Sequence, residues 1–206
     1  MKKVFICVSF MSLLFASFAN AGDAELGKAA SGLCAACHGA DGNSVNPVWP
    51  KLAGQHEEYT ARQLSLFKSG ERKATVMGGM VAGLSEADMH NLGAYFASQK
   101  STIGSADENL VELGKALYQG GQTKMKIPAC MSCHGATGKG NPLSGYPVLA
   151  GQHAAYTEQR LKDYRAGEKI ANDDDVNGQI MADVAKYLSD EEIKAVASYI
   201  QGLYSD

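Results

Sequence analysis

The chain is poor in cysteine, in basic residues and in long apolar runs. It has five cysteines in 206 residues. One of them, Cys7, lies in an N-terminal apolar stretch, and the other four form two close pairs, Cys34/Cys37 and Cys130/Cys133. No structural disulfide framework is available once those pairs have another use. The formal charge is −3, with 19 Lys and Arg against 22 Asp and Glu, and no basic stripe runs along any segment. Nucleic-acid binding is therefore disfavoured. The long uncharged run from Val4 to Phe18 is shorter than the roughly 20 residues needed to span a bilayer. Extended alternation of apolar and polar residues is also missing, so helices and loops are expected rather than a sheet.

That apolar run has a different use. Lys2 and Lys3 precede it and Ala19-Asn20-Ala21 follows, the pattern of a secretory signal with its small-residue cleavage site. Cleavage after Ala21 is expected, so that the mature chain is exported and begins at Gly22. Cys7 and two lysines leave with residues 1–21, which moves the formal charge from −3 to −5. Residues 22–105 then carry seven basic and eight acidic groups, and residues 106–206 carry ten and fourteen, including Asp173-Asp174-Asp175. Such asymmetry suits orientation toward a charged partner, although a triple-Asp run by itself reads as a solvated loop. In an oxidising compartment the four remaining cysteines would close into disulfides unless they were joined to something else.

Their setting says what that is. Cys34-Ala35-Ala36-Cys37-His38 and Cys130-Met131-Ser132-Cys133-His134 both read CxxCH, the attachment signature of a covalent c-type haem. Two thiols on one helical turn can each add to a vinyl group of one porphyrin, and the adjacent histidine supplies a nitrogen to iron. A shared zinc ribbon is excluded by the 92 residues between Cys37 and Cys130, and a thioredoxin-like role lacks its βαβ setting.

The rest of the chain repeats along with the motif. Glu25-Leu26-Gly27-Lys28-Ala29 recurs as Glu112 to Ala116, and Leu52-Ala53-Gly54-Gln55-His56 recurs as Leu149 to His153. Tyr59 to Gly70 is matched by Tyr156 to Gly167, Leu84-Ser85 by Leu188-Ser189, and Ala94-Tyr95 by Ser198-Tyr199. The mature chain is two copies of one small unit. The polar stretch from Gln99 to Asn109 marks the join, giving units 22–100 and 110–206 around a linker at 101–109. Haem would supply each small core with a large apolar disc.

Helix signals recur in register. Each unit opens with a short Ala-rich helix, near Asp23 and near Glu108. A middle helix containing Tyr59 to Phe67, or Tyr156 to Tyr164, ends at Gly70 or Gly167 as C-cap. Ser85 with Asp88, and Ser189 with Glu192, are capping-box pairs. Met89, Leu92, Gly93 and Phe96, then Ile193, Val196, Ala197 and Ile200, follow them at i, i+3, i+4, i+7 and form one buried stripe each.

A sixth iron ligand decides between carrying electrons and doing chemistry. Met181 stands seven residues before Leu188, and Met77 stands seven before Leu84. Met80 stands only four before Leu84 and matches Val184. The register selects Met77, but Met80 shares the loop Met77-Gly78-Gly79-Met80 and stays a competitor. A thioether opposite imidazole raises the reduction potential, which suits a carrier. His56 and His153 are alternative ligands, better read as capping or hydrogen-bonding residues at the start of the middle helix, and His90 reads as a helix-surface residue. Pro50 and Pro147 follow the two proximal histidines at matching distance, and their carbonyls are candidates to accept the Nδ1 proton of His38 and His134. Tyr59, Tyr156, Tyr95 and Tyr199 are candidates for the haem edges or the interface between units, and equally for ordinary core packing.

The stretches CAACHGADGN and PKLAGQ, a methionine before LS, and AYF in the first half are followed by PACMSCHGATGKGN, GQHAAYT and ASYIQGL in the second. Together they resemble the bacterial dihaem cytochromes c4, tandem class I cytochrome c domains, over essentially the whole mature chain. The resemblance implies an all-α fold of two tandem cytochrome c-like domains, each wrapped around one covalent haem and facing the other across a pseudo-twofold axis. It implies haem attachment by Cys34, Cys37, Cys130 and Cys133, and iron coordination by His38, Met77, His134 and Met181. It further implies a periplasmic electron carrier rather than an enzyme, with peripheral membrane association in some members. Its acceptor would be a terminal cytochrome c oxidase, and its donor a quinol-oxidising complex or another cytochrome. The competing readings are a dihaem peroxidase-like enzyme, which needs an open iron position, and a haem subunit of a larger redox complex.

Overall fold

The computed structural model describes residues 21–167 and 175–204. Most of the expected export signal and Asp173 and Asp174 lie outside the described residues. The described chain is helical, and in place of strands it has two isolated bridges, Gln122 with Ile127 and Asn141 with Tyr146.

The first unit contains α1 (Ala24–Ala30), α2 (Gly32–His38), α3 (Glu57–Ser69), α4 (Thr75–Val81) and α5 (Glu86–Ala97). The second contains α6 (Val111–Gly120), α7 (Met131–His134), α8 (Ala154–Arg165), α9 (Val176–Ala185) and α10 (Asp190–Gly202). The helix starts follow from side chains. Asp23 caps α1 by accepting from the backbone amides of Glu25 and Leu26, and both expected capping boxes form, at Ser85/Asp88 and Ser189/Glu192. In the first unit α3 ends on Gly70 in the left-handed region, with φ 78°. In the second, α8 ends on Ala166 in ordinary helical geometry, and Gly167 takes the left-handed turn one residue later. Likewise, α6 begins at Val111, three residues after Glu108.

In each unit the first helix crosses the last. The glycine of the ELGKA repeat makes the crossing close: a Cβ on Gly27 would stand 1.9 Å from the Asn91 carbonyl oxygen, and one on Gly114 would stand 2.3 Å from that of Ala195. Beneath the crossing lie the two predicted stripes. Leu92 and Phe96 are each 1% exposed, and Ile193 and Ala197 are fully buried. Burying a large apolar side chain contributes roughly 1.5–3 kcal/mol, so these stripes anchor α5 and α10 in their cores.

Segment 101–109 has no helix but is pinned at both ends. The Thr102 amide and hydroxyl donate to Asn43 Oδ1 (2.8 and 3.0 Å), the buried Lys51 ammonium donates to the Thr102 carbonyl, and Gln201 Nε2 donates to the Ser105 carbonyl (2.9 Å). No helix among the described residues is long and apolar enough to cross a membrane.

Candidate functional site: two thiol and imidazole cradles in one cavity

A single cavity of about 770 Å3 runs through the middle of the molecule and is lined from both units. Cys34, Cys37, His38, Met77 and Met80 reach it from the first half, and Cys130, Cys133, His134 and Met181 from the second. Most of the remaining wall is apolar, with Leu52, Leu64 and Phe96 on one side and Leu149, Val184 and Ile200 on the other.

The short helix α2 places both thiols and His38 within two turns. Its end is set by Gly39, whose φ of 80° is a left-handed value that favours glycine. Helix α7 does the same for His134, followed by Gly135 at φ 78°. The imidazoles are almost fully buried, with His38 7% and His134 6% exposed. His38 Nδ1 lies 2.8 Å from the Pro50 carbonyl oxygen, and His134 Nδ1 lies 3.1 Å from that of Pro147. A carbonyl can only accept, so Nδ1 carries the proton and Nε2 keeps a free lone pair. Burial, partly opposed by these hydrogen bonds, holds both imidazoles below the ordinary histidine pKa, which keeps them neutral and ready to ligate.

The first thiol of each pair is shifted the other way. Desolvation raises Cys34 and pushes Cys130 up to about 11. A redox-active CxxC pair depends on a lowered thiol pKa, so these surroundings do not suit thiol–disulfide exchange. The donor set in each half is a thiol pair, a neutral imidazole and a thioether, facing apolar walls. That set fits a covalent c-type haem, whose iron the imidazole nitrogen and the thioether sulfur would ligate.

The methionines stand on helices, not on a Gly-rich loop. Met77 and Met80 belong to α4, where the Gly78 amide closes a turn onto the Ala74 carbonyl (2.9 Å). Packing of α4 on α3 outweighs the low helix propensity of Gly78 and Gly79. Both side chains reach the cavity wall, but Met77 is half-buried while Met80 is 49% exposed. Met181 sits half-buried on α9, against the core of Leu117, Leu161 and Ile193. Gly70 to Met77 spans seven residues and Gly167 to Met181 fourteen, and much of that extra length falls on 168–174, outside the described residues.

The recurring LAGQH segment is an interface device. Gln55 Nε2 donates to the Val148 carbonyl (3.0 Å), and its Oε1 accepts from the Val148 amide (2.9 Å). Gln152 mirrors this on Lys51 at 2.9 Å in both bonds. His56 Nε2 lies 2.9 Å from the Lys139 carbonyl oxygen, and His153 Nε2 lies 2.8 Å from that of Ser44. Both histidines are helix N-caps that make no side-chain capping bond; their rings are spent on the opposite unit. The roles of Gln55 and Gln152 were not read from sequence, although a polar pair repeated in both copies was the signal. Tyr59 and Tyr156 line the cavity, whereas Tyr95 and Tyr199 pack in the unit cores. The Tyr95 hydroxyl donates to the Ala40 carbonyl at 2.8 Å. His90 is not simply on the surface: it is half-buried, with Nδ1 3.3 Å from Glu57 Oε1.

Comparison with known proteins agrees with this architecture. The family model described as "Cytochrome c" matches twice, over residues 24–100 and 111–204. Cytochrome c4 of Pseudomonas aeruginosa is 47% identical over 184 residues, 89% of this chain and 90% of that protein. Cytochrome c4 of Azotobacter vinelandii is 45% identical over 193 residues, 89% and 90% of the respective chains. The crystal structure of reduced recombinant cytochrome c4 from Pseudomonas stutzeri superposes with a TM-score of 0.85 at 47% identity, covering 89% of this chain and all of that one.

Proposed function

The chain belongs to the cytochrome c family and, within it, to the dihaem cytochromes c4, and from that premise we propose a periplasmic carrier that passes electrons toward a terminal cytochrome c oxidase. Membership makes it an electron-transfer protein with two covalently bound haem c groups. Exported and freed of residues 1–21, it would take electrons from a quinol-oxidising complex or another cytochrome, with peripheral association at the membrane. The observation that carries the reading is the pair of equivalent cradles in one cavity, each with two thiols, an imidazole bearing a free Nε2, and a half-buried thioether.

In this reading Cys34 and Cys37 hold one group and Cys130 and Cys133 the other. Each bound group supplies a one-electron store at its iron. His38 and Met77 would ligate the iron in the first unit, and His134 and Met181 would do so in the second. The Pro50 and Pro147 carbonyls keep each imidazole in one tautomer and one orientation, and by accepting the Nδ1 proton they raise its strength as a ligand. The apolar walls exclude water. Methionine sulfur and a dry surround both favour the lower-charged ferrous state, so relatively high potentials are expected. A methionine on offer in each half favours carriage over peroxidase chemistry, which needs an open position.

A redox titration of the purified holoprotein, followed by absorption with haem quantified per chain, tests this. Two low-spin haems with the ferric iron-to-methionine band are expected. A high-spin component, or prompt cyanide binding at one haem, would turn the assignment toward an enzyme.

A further inference from the structure

An ion pair crosses the seam and ends beside a candidate iron ligand. Arg62 stands on α3 of the first unit, and Asp175 is the residue from which α9 of the second begins. Arg62 Nη2 lies 2.8 Å from Asp175 Oδ1, and the aspartate side chain is only 8% exposed. The carboxylate does not cap α9 by accepting from its amides. It folds over the first turn instead, so close that a Cβ on Gly178 would stand 2.4 Å from Oδ2. Asn177 Nδ2 adds a second tie by donating to the Ser144 carbonyl (2.8 Å). Met181 follows six residues after Asp175, and Arg62, Asp175 and Met181 all line the cavity. In the other copy of the repeat Gln159 stands in the place of Arg62, and it is spent within its own helix, its Nε2 donating to Asp163 Oδ1 (2.6 Å).

An ion pair with both partners in water contributes little, because solvent screens it. Here the carboxylate is buried, and losing its cation would leave that charge uncompensated, which is strongly unfavourable. Relief would come from the carboxylate turning out into water and taking the first turn of α9 with it. Packing on α8 holds the body of that helix, so its start is where such a shift is felt. We propose that Arg62 is a positioning residue for Met181: through Asp175 it fixes the start of α9, so that methionine release in the second unit depends on a side chain of the first. Helix α3 also packs on α4, which carries Met77, and one helix thereby touches both methionine-bearing helices. The inference rests on Met181 serving as an iron ligand, as proposed above.

The test uses ferric holoprotein, wild type against Arg62→Met and Arg62→Lys, with haem counted, the iron-to-methionine band followed on warming, and cyanide binding timed. Cyanide needs the position that methionine occupies, so its rate reports how often the thioether lets go. In Arg62→Met two haems remain bound, and one of them binds cyanide at least about tenfold faster than in wild type, as stripping a buried carboxylate of its partner would cause. The share of the methionine band that belongs to that haem also fades at lower temperature. Arg62→Lys, which keeps the charge, stays nearer to wild type. In an Asp175→Asn background Arg62→Met changes little further, because its action runs through that carboxylate. In Met181→Ala only the first haem still binds cyanide slowly, and adding Arg62→Met leaves that slow phase as it was. Should Arg62→Met not accumulate, Arg62→Gln gives the same comparison. A two-haem Met or Gln variant with wild-type cyanide kinetics and band, or one in which the first haem is the one loosened, overturns the proposal. Wild-type protein without the methionine band at both haems would instead sink the ligand assignment, a distinguishable failure.

Discussion

Met77 and Met80 are three residues apart on one short helix, and burial separates them. A ligand must leave water and point into the cavity, and Met77 is the half-buried member while Met80 is 49% exposed. Replacing Met77 with Ala is expected to abolish the ferric iron-to-methionine band of one haem, as Met181→Ala does for the other, whereas Met80→Ala keeps both bands. Retention of both in Met77→Ala would move the assignment to Met80. The repeat register pointed to the same residue, but it could not supply burial, because α4 and α9 sit at the end of connections of unequal length.

At the scale of elements, the helix crossings carry the fold. Gly27 and Gly114 allow α1 on α5 and α6 on α10 to approach until a Cβ would meet a carbonyl oxygen at 1.9 and 2.3 Å. Backbone cannot move aside as a flexible side chain can. Gly114→Val should therefore cost at least about 2 kcal/mol, in the range of a severe overpacking change, and chemical denaturation of the holoprotein should show the loss in the second unit. Ser189→Ala removes one capping bond of α10 and should cost about 1 kcal/mol, measurable in the same experiment. The capping boxes and stripes were legible in sequence because their chemistry is local. The helical state of α4 was not, since two adjacent glycines argue against a helix until α3 packs on it.

For the whole molecule, the seam is the feature most exposed to test. Gln55 and Gln152 make four hydrogen bonds to the backbone of the opposite unit. At about 1 kcal/mol net for each, a Gln55→Ala/Gln152→Ala double variant should lose a few kcal/mol of coupling. Its two units should unfold in separate transitions, while each keeps its haem. A single unchanged cooperative transition would mean that the cavity contents, not the glutamines, hold the halves together.

CxxCH, the histidine beside it, the capping serines and the twofold repetition of landmarks were decided by sequence alone, because each depends on residues a few positions apart. Tertiary structure decided the remainder. Lys51 meets Gln152 and Gln55 meets Val148 about a hundred positions away. Arg72 of the first unit is held by the Tyr156 hydroxyl of the second, 84 positions away. A repeat reveals that two units exist, but the contacts that join them run between copies, where no local spacing records them.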